Sequence, residues 1–190
     1  MQYKTILLGI LLLATSCTRL KLEKELELFT QTEIQLPKNP AIVQNGAFQD
    51  LSFDIPKHPI KLIIYYSPES WSSCQAAHLY KLEQLFCYKS DKHLFTPMII
   101  MSPDEQQYAL TLKLLKSQTN PFSIYLDRKD EFRQLNPNLP KDTRFHTFLL
   151  DRHNHIVLIG DPLLNTNMWK LFESTLNNML SHNGEYIPEK

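Results

Sequence analysis

Residues 60–74 read IKLIIYYSPESWSSC, and this stretch decides the fold. Its first seven residues are dense in β-branched and aromatic side chains, which predicts a strand buried in the middle of a sheet. Pro68 and the serines around it then interrupt the strand. Ser72 or Ser73 is suited to cap a helix over residues 75–88, because a serine hydroxyl accepts hydrogen bonds from the first amides of a helix. The stretch therefore predicts a strand, a turn and a helix in succession.

The same alternation continues along the chain. Apolar runs and helical periodicity predict, in order, a strand at 94–102, a helix at 104–118, a strand at 122–126, a short helix at 131–135, strands at 145–150 and 156–159, and a helix at 167–181. The last two strands flank a polar turn and form a hairpin. This order predicts an α/β fold in which a mixed central sheet has helices on both faces, as a three-layer sandwich. The first crossovers should be parallel and right-handed.

This order, together with three local stretches, resembles the thioredoxin-like fold. Residues 60–85 look like the core strand, active-site turn and first helix of that family, and residues 122–127 look like its third parallel strand. Residues 146–160, HTFLLDRHNHIVLIG, look like its closing hairpin, which is the most specific part of the match. The resemblance covers residues 52–180 and implies that residues 71–74 form the active-site turn.

That turn departs from the family pattern. Thioredoxin-like reductases carry Cys-x-x-Cys, in which the first thiol attacks and the second resolves the mixed disulfide. Here the four residues are Trp71-Ser72-Ser73-Cys74, so the turn has only one thiol, and the sequence argues against ordinary thioredoxin activity. The peroxiredoxin branch uses a single thiol in Thr-x-x-Cys, which Pro68 and Cys74 echo although Trp71 replaces the threonine. Cys74 is therefore either a reactive single thiol, and then the catalytic residue, or a buried and inert one.

A second departure concerns the residue before the hairpin threonine. The family places a cis-proline there, whereas this chain has His146 before Thr147. Cis bonds at other residues cost about 2.5–4 kcal/mol, so we expect a trans peptide. The resemblance places His146 near Cys74. Four rings are candidates for a binding surface at this site: Trp71, Tyr66, His146 and Tyr65. They form an aromatic surface that binds a peptide, a protein or a small ligand, or they fill the space left by lost catalytic groups.

Cofactor and metal sites are not predicted. Residues 67–73 contain no glycine, so they do not form a phosphate-binding loop. His153 and His155 read as part of a polar turn, and His78, four residues after Cys74, has no further metal ligands at matching spacing. A bond between Cys74 and Cys87 is not expected, because thirteen residues of continuous helix would separate them by about 20 Å.

The first seventeen residues predict export. Lys4 is followed by an apolar run over residues 6–14 and by small residues before Cys17, which is the pattern of a secretory signal peptide. The run is too short to cross a bilayer, which takes about 20 apolar residues. Residues 13–17, LATSC, resemble the lipobox of bacterial lipoproteins, with Ala14 where leucine is favoured. The resemblance implies that Cys17 is the first mature residue and carries acyl chains such as palmitate; the alternative is an ordinary secreted protein.

These features predict a cell-envelope lipoprotein on the inner or outer membrane, with its domain outside the cytoplasm. The 20 acidic and 20 basic residues balance, so no net field favours nucleic acid. The expected organisation is a signal peptide at 1–16, a lipidated N-terminus and tether at 17–46, the domain at 47–182, opening with a strand at 47–55, and a polar tail at 183–190. The predicted function is a binding or accessory module that lacks the dithiol; the alternative is a single-thiol redox enzyme that uses Cys74.

Overall fold

The computed structural model of this chain describes residues 19–38, 40–49, 58–70, 79, 82, 94–119 and 122–188. Within these residues a seven-stranded mixed sheet has the order β2-β1-β5-β4-β3-β6-β7. The strands are β1 Ala41–Gln44, β2 Ala47–Gln49, β3 Lys61–Tyr66, β4 Thr96–Met101, β5 Ile124–Leu126, β6 Thr147–Leu150 and β7 Ile156–Ile159. The predicted α/β class with a mixed sheet is confirmed.

The helices are α1 at residues 19–30, followed by α2 Glu105–Lys116, α3 Glu131–Leu135 and α4 Thr166–Ser181. Leu79 and Leu82, inside the predicted helix 75–88, are helical and buried. The predicted bounds of α3 and β7 agree with the structure, and α4 begins one residue earlier than predicted. No described helix is both long enough and apolar enough to cross a membrane.

The middle of the sheet is parallel and is buried on both faces. Strand β3 pairs with β4 in parallel, and β4 pairs with β5 in parallel, as predicted for the first crossovers. Alternate residues of β3 enter opposite cores: Leu62 and Ile64 enter one, and Ile63 and Tyr65 enter the other. Near-continuous apolar runs are what a sheet covered on both faces requires.

Helices cover both faces of this sheet. On one face, α2 and α4 contribute Leu115, Phe172 and Leu176 to the core that contains Leu62. On the other face, Phe29 of α1 and Phe132 of α3 join the core that contains Ile63. The predicted three layers are therefore confirmed.

The N-terminal segment differs from the prediction. The described part of residues 17–46 was expected to be a tether, but Phe29 and Ile34 are fully buried in the core. The ring of Phe29 meets that of Phe148 edge to face, with centroids 5.2 Å apart. Strand β1 extends the sheet by pairing antiparallel with β5. The tether prediction is wrong for these residues. The segment has many charged residues, but the burial of Phe29, Ile34 and Leu36 in the core is enough to dock it onto the sheet.

A hairpin that the sequence analysis overlooked joins β1 to β2. Asn45 and Gly46 both have positive φ, 48° and 73°, which suits the tight two-residue turn of a hairpin. A Cβ on Gly46 would lie 2.9 Å from the carbonyl oxygen of Lys116. Strand β2 ends at Gln49, whereas a strand to residue 55 was predicted, and residues 50–55 lie outside the described chain.

The C-terminal tail folds back onto the domain. The amide of Arg152 donates to the carbonyl of Gly184 at 3.0 Å. The side chain of Asn178 donates to the carbonyl of Ile187 at 2.8 Å and accepts from its amide at 2.9 Å. The predicted polar tail is thus tied down through residue 187.

The buried position of Phe29 generates a stability prediction. Phe29→Ala should lower the free energy of unfolding by about 3–5 kcal/mol, because it removes a large ring from a closed core. Leu28→Ala is the matched control: its side chain is 57% exposed, so a change within about 0.5 kcal/mol is expected. Urea unfolding of both variants measures the difference, and equal small effects would mean that α1 does not belong to the domain.

Candidate functional site

The candidate site begins where β3 ends. Residues 67–70 form a turn in which the Ser70 amide donates to the Ser67 carbonyl at 3.0 Å. The Ser70 hydroxyl also donates to that carbonyl at 3.1 Å, and Ser67 is fully buried. Pro68 occupies the second position of the turn, where its fixed φ is favourable. These contacts set the direction in which the chain leaves the sheet after β3.

An ion pair holds this turn against α3. Both terminal nitrogens of Arg133 donate to the carboxylate of Glu69, at 3.0 and 2.9 Å. The hydrogen bond from Arg133 lowers the pKa of Glu69 to about 2. The Glu69 side chain is 67% exposed, so water screens the pair and its main effect is geometric. Two parallel bonds fix the orientation of the turn relative to α3.

Asp130 links Arg133 back to β3. The hydroxyl of Tyr65 donates to the Asp130 carboxylate, and the Arg133 Nε lies 3.5 Å from the other oxygen of that group. Burial, together with this hydrogen bond, raises the pKa of Tyr65, so the hydroxyl remains a donor. The backbone of Asp130 lies in the left-handed region, at φ 52°. The N-terminus of α3 is capped by Asp127, whose carboxylate accepts a hydrogen bond from the Phe132 amide at 2.7 Å.

His146 lies against Tyr65, with ring centroids 5.1 Å apart. It is 2% exposed, and its carbonyl accepts the backbone N–H of Tyr65 at 2.9 Å. The Nε2 atom is 2.8 Å from the carbonyl of Pro140, so Nε2 carries the hydrogen, because a carbonyl can only accept. Nδ1 is buried and finds no hydrogen-bond partner among the described residues. Burial lowers the pKa of His146 below 6.5, so the ring is neutral at pH 7.

A cavity of about 200 Å³ opens beside these groups. Polar and aromatic side chains from four segments line it: Tyr66, Ser70, Thr143, His146, Thr147 and Asp161. Burial, and then the Asp161 carboxylate, raise the pKa of Tyr66 to about 12, so its hydroxyl keeps its proton. The cavity is smaller than the roughly 300–1,000 Å³ of pockets that hold drug-sized ligands. It has room for a side chain or a short stretch of peptide.

Solved structures share this arrangement of strands and helices at low identity. Mycobacterium bovis AhpC matches with a TM-score of 0.52 at 16% identity, over 77% of this chain and 95% of its own. A thioredoxin-like protein of unknown function from Porphyromonas gingivalis matches with a TM-score of 0.51 at 13% identity, over 80% and 95%. A candidate thiol:disulfide interchange protein DsbE from Chlorobium tepidum matches at 0.50 and 13%, over 75% and 99%. The chain has a thioredoxin-like fold.

At such identities the likeness establishes the fold and assigns no activity. No family model matches the sequence. No curated protein matches it either. The function of this thioredoxin-like chain must therefore be argued from its own residues.

Two of the predicted binding residues are brought together in the thioredoxin-like structure. Tyr66 and His146 both line the cavity, and the peptide before His146 is trans, as predicted. Trp71, Cys74 and the predicted lipidation site Cys17 lie outside the described residues, as does Cys87. Their predicted roles therefore stay predictions.

Sequence reasoning missed the network of Glu69, Asp130 and Arg133. Glu69 and Arg133 are 64 residues apart, and no local pattern pairs a turn carboxylate with a guanidinium at that distance. The weak signal that was available is the run of charged residues 127–131 directly after a strand.

The histidines of the hairpin turn have acidic neighbours, with His153 Nε2 3.4 Å from Glu185. No cluster of three or more metal-ligating side chains occurs in the described part of the chain.

The burial of His146 predicts a pH dependence of stability. Its folded-state pKa is depressed, so the unfolded chain binds the extra proton first as pH falls below about 6.5. The free energy of unfolding should therefore decrease as pH falls from about 6.5 towards the folded-state pKa. His146→Gln should lose that part of the slope, whereas His153→Gln, at an exposed turn, should retain it. Urea unfolding at pH 7.5, 6.5 and 5.5 tests this, and identical slopes for wild type and His146→Gln would contradict it.

Proposed function

We propose that this chain is a lipid-anchored, extracytoplasmic thioredoxin-like protein that has lost dithiol chemistry and binds a peptide segment at the end of β3. The observation that carries the proposal is the polar cavity beside Tyr66 and His146, at the position where the sequence leads into Trp71-Ser72-Ser73-Cys74. The three cysteines, at 17, 74 and 87, form no Cys-x-x-Cys pair. A binding role needs a cavity and contact surface, and it does not need a second thiol.

The chemistry of the cavity favours a peptide. The Asp161 carboxylate accepts hydrogen bonds, and the hydroxyls of Ser70, Thr143 and Thr147 both donate and accept. A peptide backbone offers both N–H and C=O groups to such a surface. Trp71 directly follows the turn that lines the cavity, and large aromatic rings supply contact area at interfaces. The peptide therefore gains polar contacts in the cavity, and we propose that Trp71 supplies apolar contact area.

Site-specific photo-crosslinking tests the binding surface. A photoreactive phenylalanine analogue at position 71 should capture a polypeptide in intact cells. The same analogue at Tyr186, which is 42% exposed in the C-terminal segment and does not line the cavity, should capture none. Asp161→Asn should reduce capture at position 71, because it removes the charged acceptor and keeps the oxygen that accepts the Leu163 amide. Equal capture at positions 71 and 186 would refute the surface.

The second candidate function is a single-thiol redox enzyme that uses Cys74. It is favoured by the sequence, in which Cys74 ends the four residues that the family resemblance assigns to the active-site turn. In this function the Cys74 thiolate attacks a peroxide oxygen, the O–O bond breaks, and water or an alcohol leaves; an external thiol then reduces the sulfenic acid on Cys74.

Alkylation separates the two functions. If Cys74 is the nucleophile, iodoacetamide should label it in the folded protein near pH 7 at least as fast as in denaturant. The binding function predicts slow labelling in the folded protein that is restored in denaturant. Mass spectrometry assigns the labelled cysteine, with Cys74→Ser as the control for labelling at Cys87.

The lipid anchor is proposed on the sequence of residues 1–17. Several acyl chains, at about 0.8 kcal/mol per buried CH₂, hold a domain on a membrane stably. Cys17→Ser should move the protein from the membrane fraction to the soluble fraction and remove the acyl mass from its N-terminal peptide. Cys87→Ser should leave both unchanged. Persistence of Cys17→Ser in the membrane fraction would refute acylation at this position.

A further inference from the structure

The exposed face of α1 combines leucines with lysines. At 3.6 residues per turn, Leu20, Lys21, Lys24 and Leu28 fall within about 100° of one another on the helix surface. Leu20 is 55% exposed and Leu28 is 57% exposed, and both lysines are exposed. Phe29, on the opposite side, is fully buried and docks the helix onto the sheet. The outward face is therefore apolar and basic, although the chain as a whole has no net charge.

Of the three acidic residues of α1, two have a partner and the third borders this face. Glu23 pairs with Arg19 at 2.9 Å. Glu25 is half-buried and accepts the backbone amide of Lys141 at 3.0 Å. Glu27 borders the face without lying between its lysines. With Glu27 counted at its border, the outward face has two lysines and one glutamate, so its balance of charge is still positive.

The position of α1 in the chain identifies what this face meets. Only Thr18 separates Cys17 from Arg19, the first described residue of the helix. Two residue steps span at most about 7 Å, so an acylated Cys17 brings the start of α1 to the headgroup region. Because Phe29, Ile34 and β1 fix α1 to the domain, no long tether separates the fold from the bilayer.

We infer that the face formed by Leu20, Lys21, Lys24 and Leu28 lies on the anionic phospholipid surface and holds the domain in one orientation on the membrane. The inference rests on the proposed acylation of Cys17. Exposed leucines enter the headgroup boundary while lysines pair with lipid phosphates, as in helices that lie in the plane of an interface. The face of the sheet that carries α1 is then turned to the bilayer, and α2 and α4, on the other face, point away from it.

Lysine acetylation of the full acylated protein measures this orientation. The protein is reconstituted into phosphatidylglycerol-containing vesicles, floated on a density gradient, and treated briefly with an acetylating reagent before mass spectrometry. Each lysine near an anionic surface favours the bound state about fivefold, so the pair favours it about 25-fold. Acetylation of Lys21 and Lys24 should be at least about fivefold slower than in the Cys17→Ser protein in buffer. Lys113 and Lys170, exposed on α2 and α4, should react equally in both samples.

The variant Leu20→Ser/Leu28→Ser provides the second measurement. Both side chains are exposed, so the free energy of unfolding in urea should fall by no more than about 1 kcal/mol, which is about fivefold in the folded-to-unfolded ratio, and the acylated protein should still float. Its Lys21 and Lys24 should be acetylated faster than those of the vesicle-bound wild type, because only the attraction between the lysines and the lipid phosphates remains. If the wild type floats but its Lys21 and Lys24 react as fast as Lys113, the orientation is refuted while the anchor stands. If the wild type does not float, the anchor is refuted, and the orientation with it.

Discussion

Burial of β3 on both faces is the constraint on which the rest of the structure depends. Ile63 and Tyr65 enter one core, and Leu62 and Ile64 enter the other, so each face of the strand requires a covering layer. A parallel strand cannot return by a tight turn, and the crossover helices that it needs supply one of these layers. The N-terminal helix α1 and the short α3 supply the other. The three-layer architecture thus follows from the apolar sequence of one strand.

The same strand positions the candidate site. Its carboxyl end delivers Tyr65 and Tyr66 to the edge of the sheet where the turn at residues 67–70 begins, and Tyr65 contacts both His146 and Asp130. Arg133 of α3 also binds Glu69, so α3 as well as β3 sets the position of the turn at residues 67–70. In the thioredoxin-like family the residue before the hairpin threonine is a proline; here a buried neutral histidine fills that position and bonds the Pro140 carbonyl. The sequence that follows the turn has one thiol, Cys74, in residues 71–74.

The N-terminal segment connects that site to the proposed anchor. The Lys141 amide bonds Glu25 of α1, and the neighbouring Pro140 carbonyl holds the His146 ring. A helix close to the proposed acylation site therefore touches the loop that positions a cavity residue. The flexible tether that the charged composition predicted would have separated the proposed anchor from the candidate site.

Much of the fold could be predicted from local sequence. Strand β3 is a continuous apolar run, the closing hairpin is two apolar runs around a polar turn, and α4 has apolar residues at helical spacing, so each pattern lies within its own element. The segment before β3 was misjudged because its burial depends on Phe29 and Ile34 meeting a core built by distant residues. The Asn45-Gly46 turn was a readable hairpin signal that was passed over. Of the candidate site, Tyr66 and His146 were found through the family resemblance, and the network of Glu69, Asp130 and Arg133 was not found.

By itself the sequence determined the order of elements, the two-sided burial of the central strand, the absence of a Cys-x-x-Cys pair and the export pattern at the N-terminus. These properties are encoded within a few neighbouring residues. Only the tertiary structure decided that α1 packs against the sheet, that Arg133 clamps the turn after β3, and that His146 is buried and neutral. Each of these depends on side chains that are far apart in the chain, and a local pattern carries no information about which of them will meet.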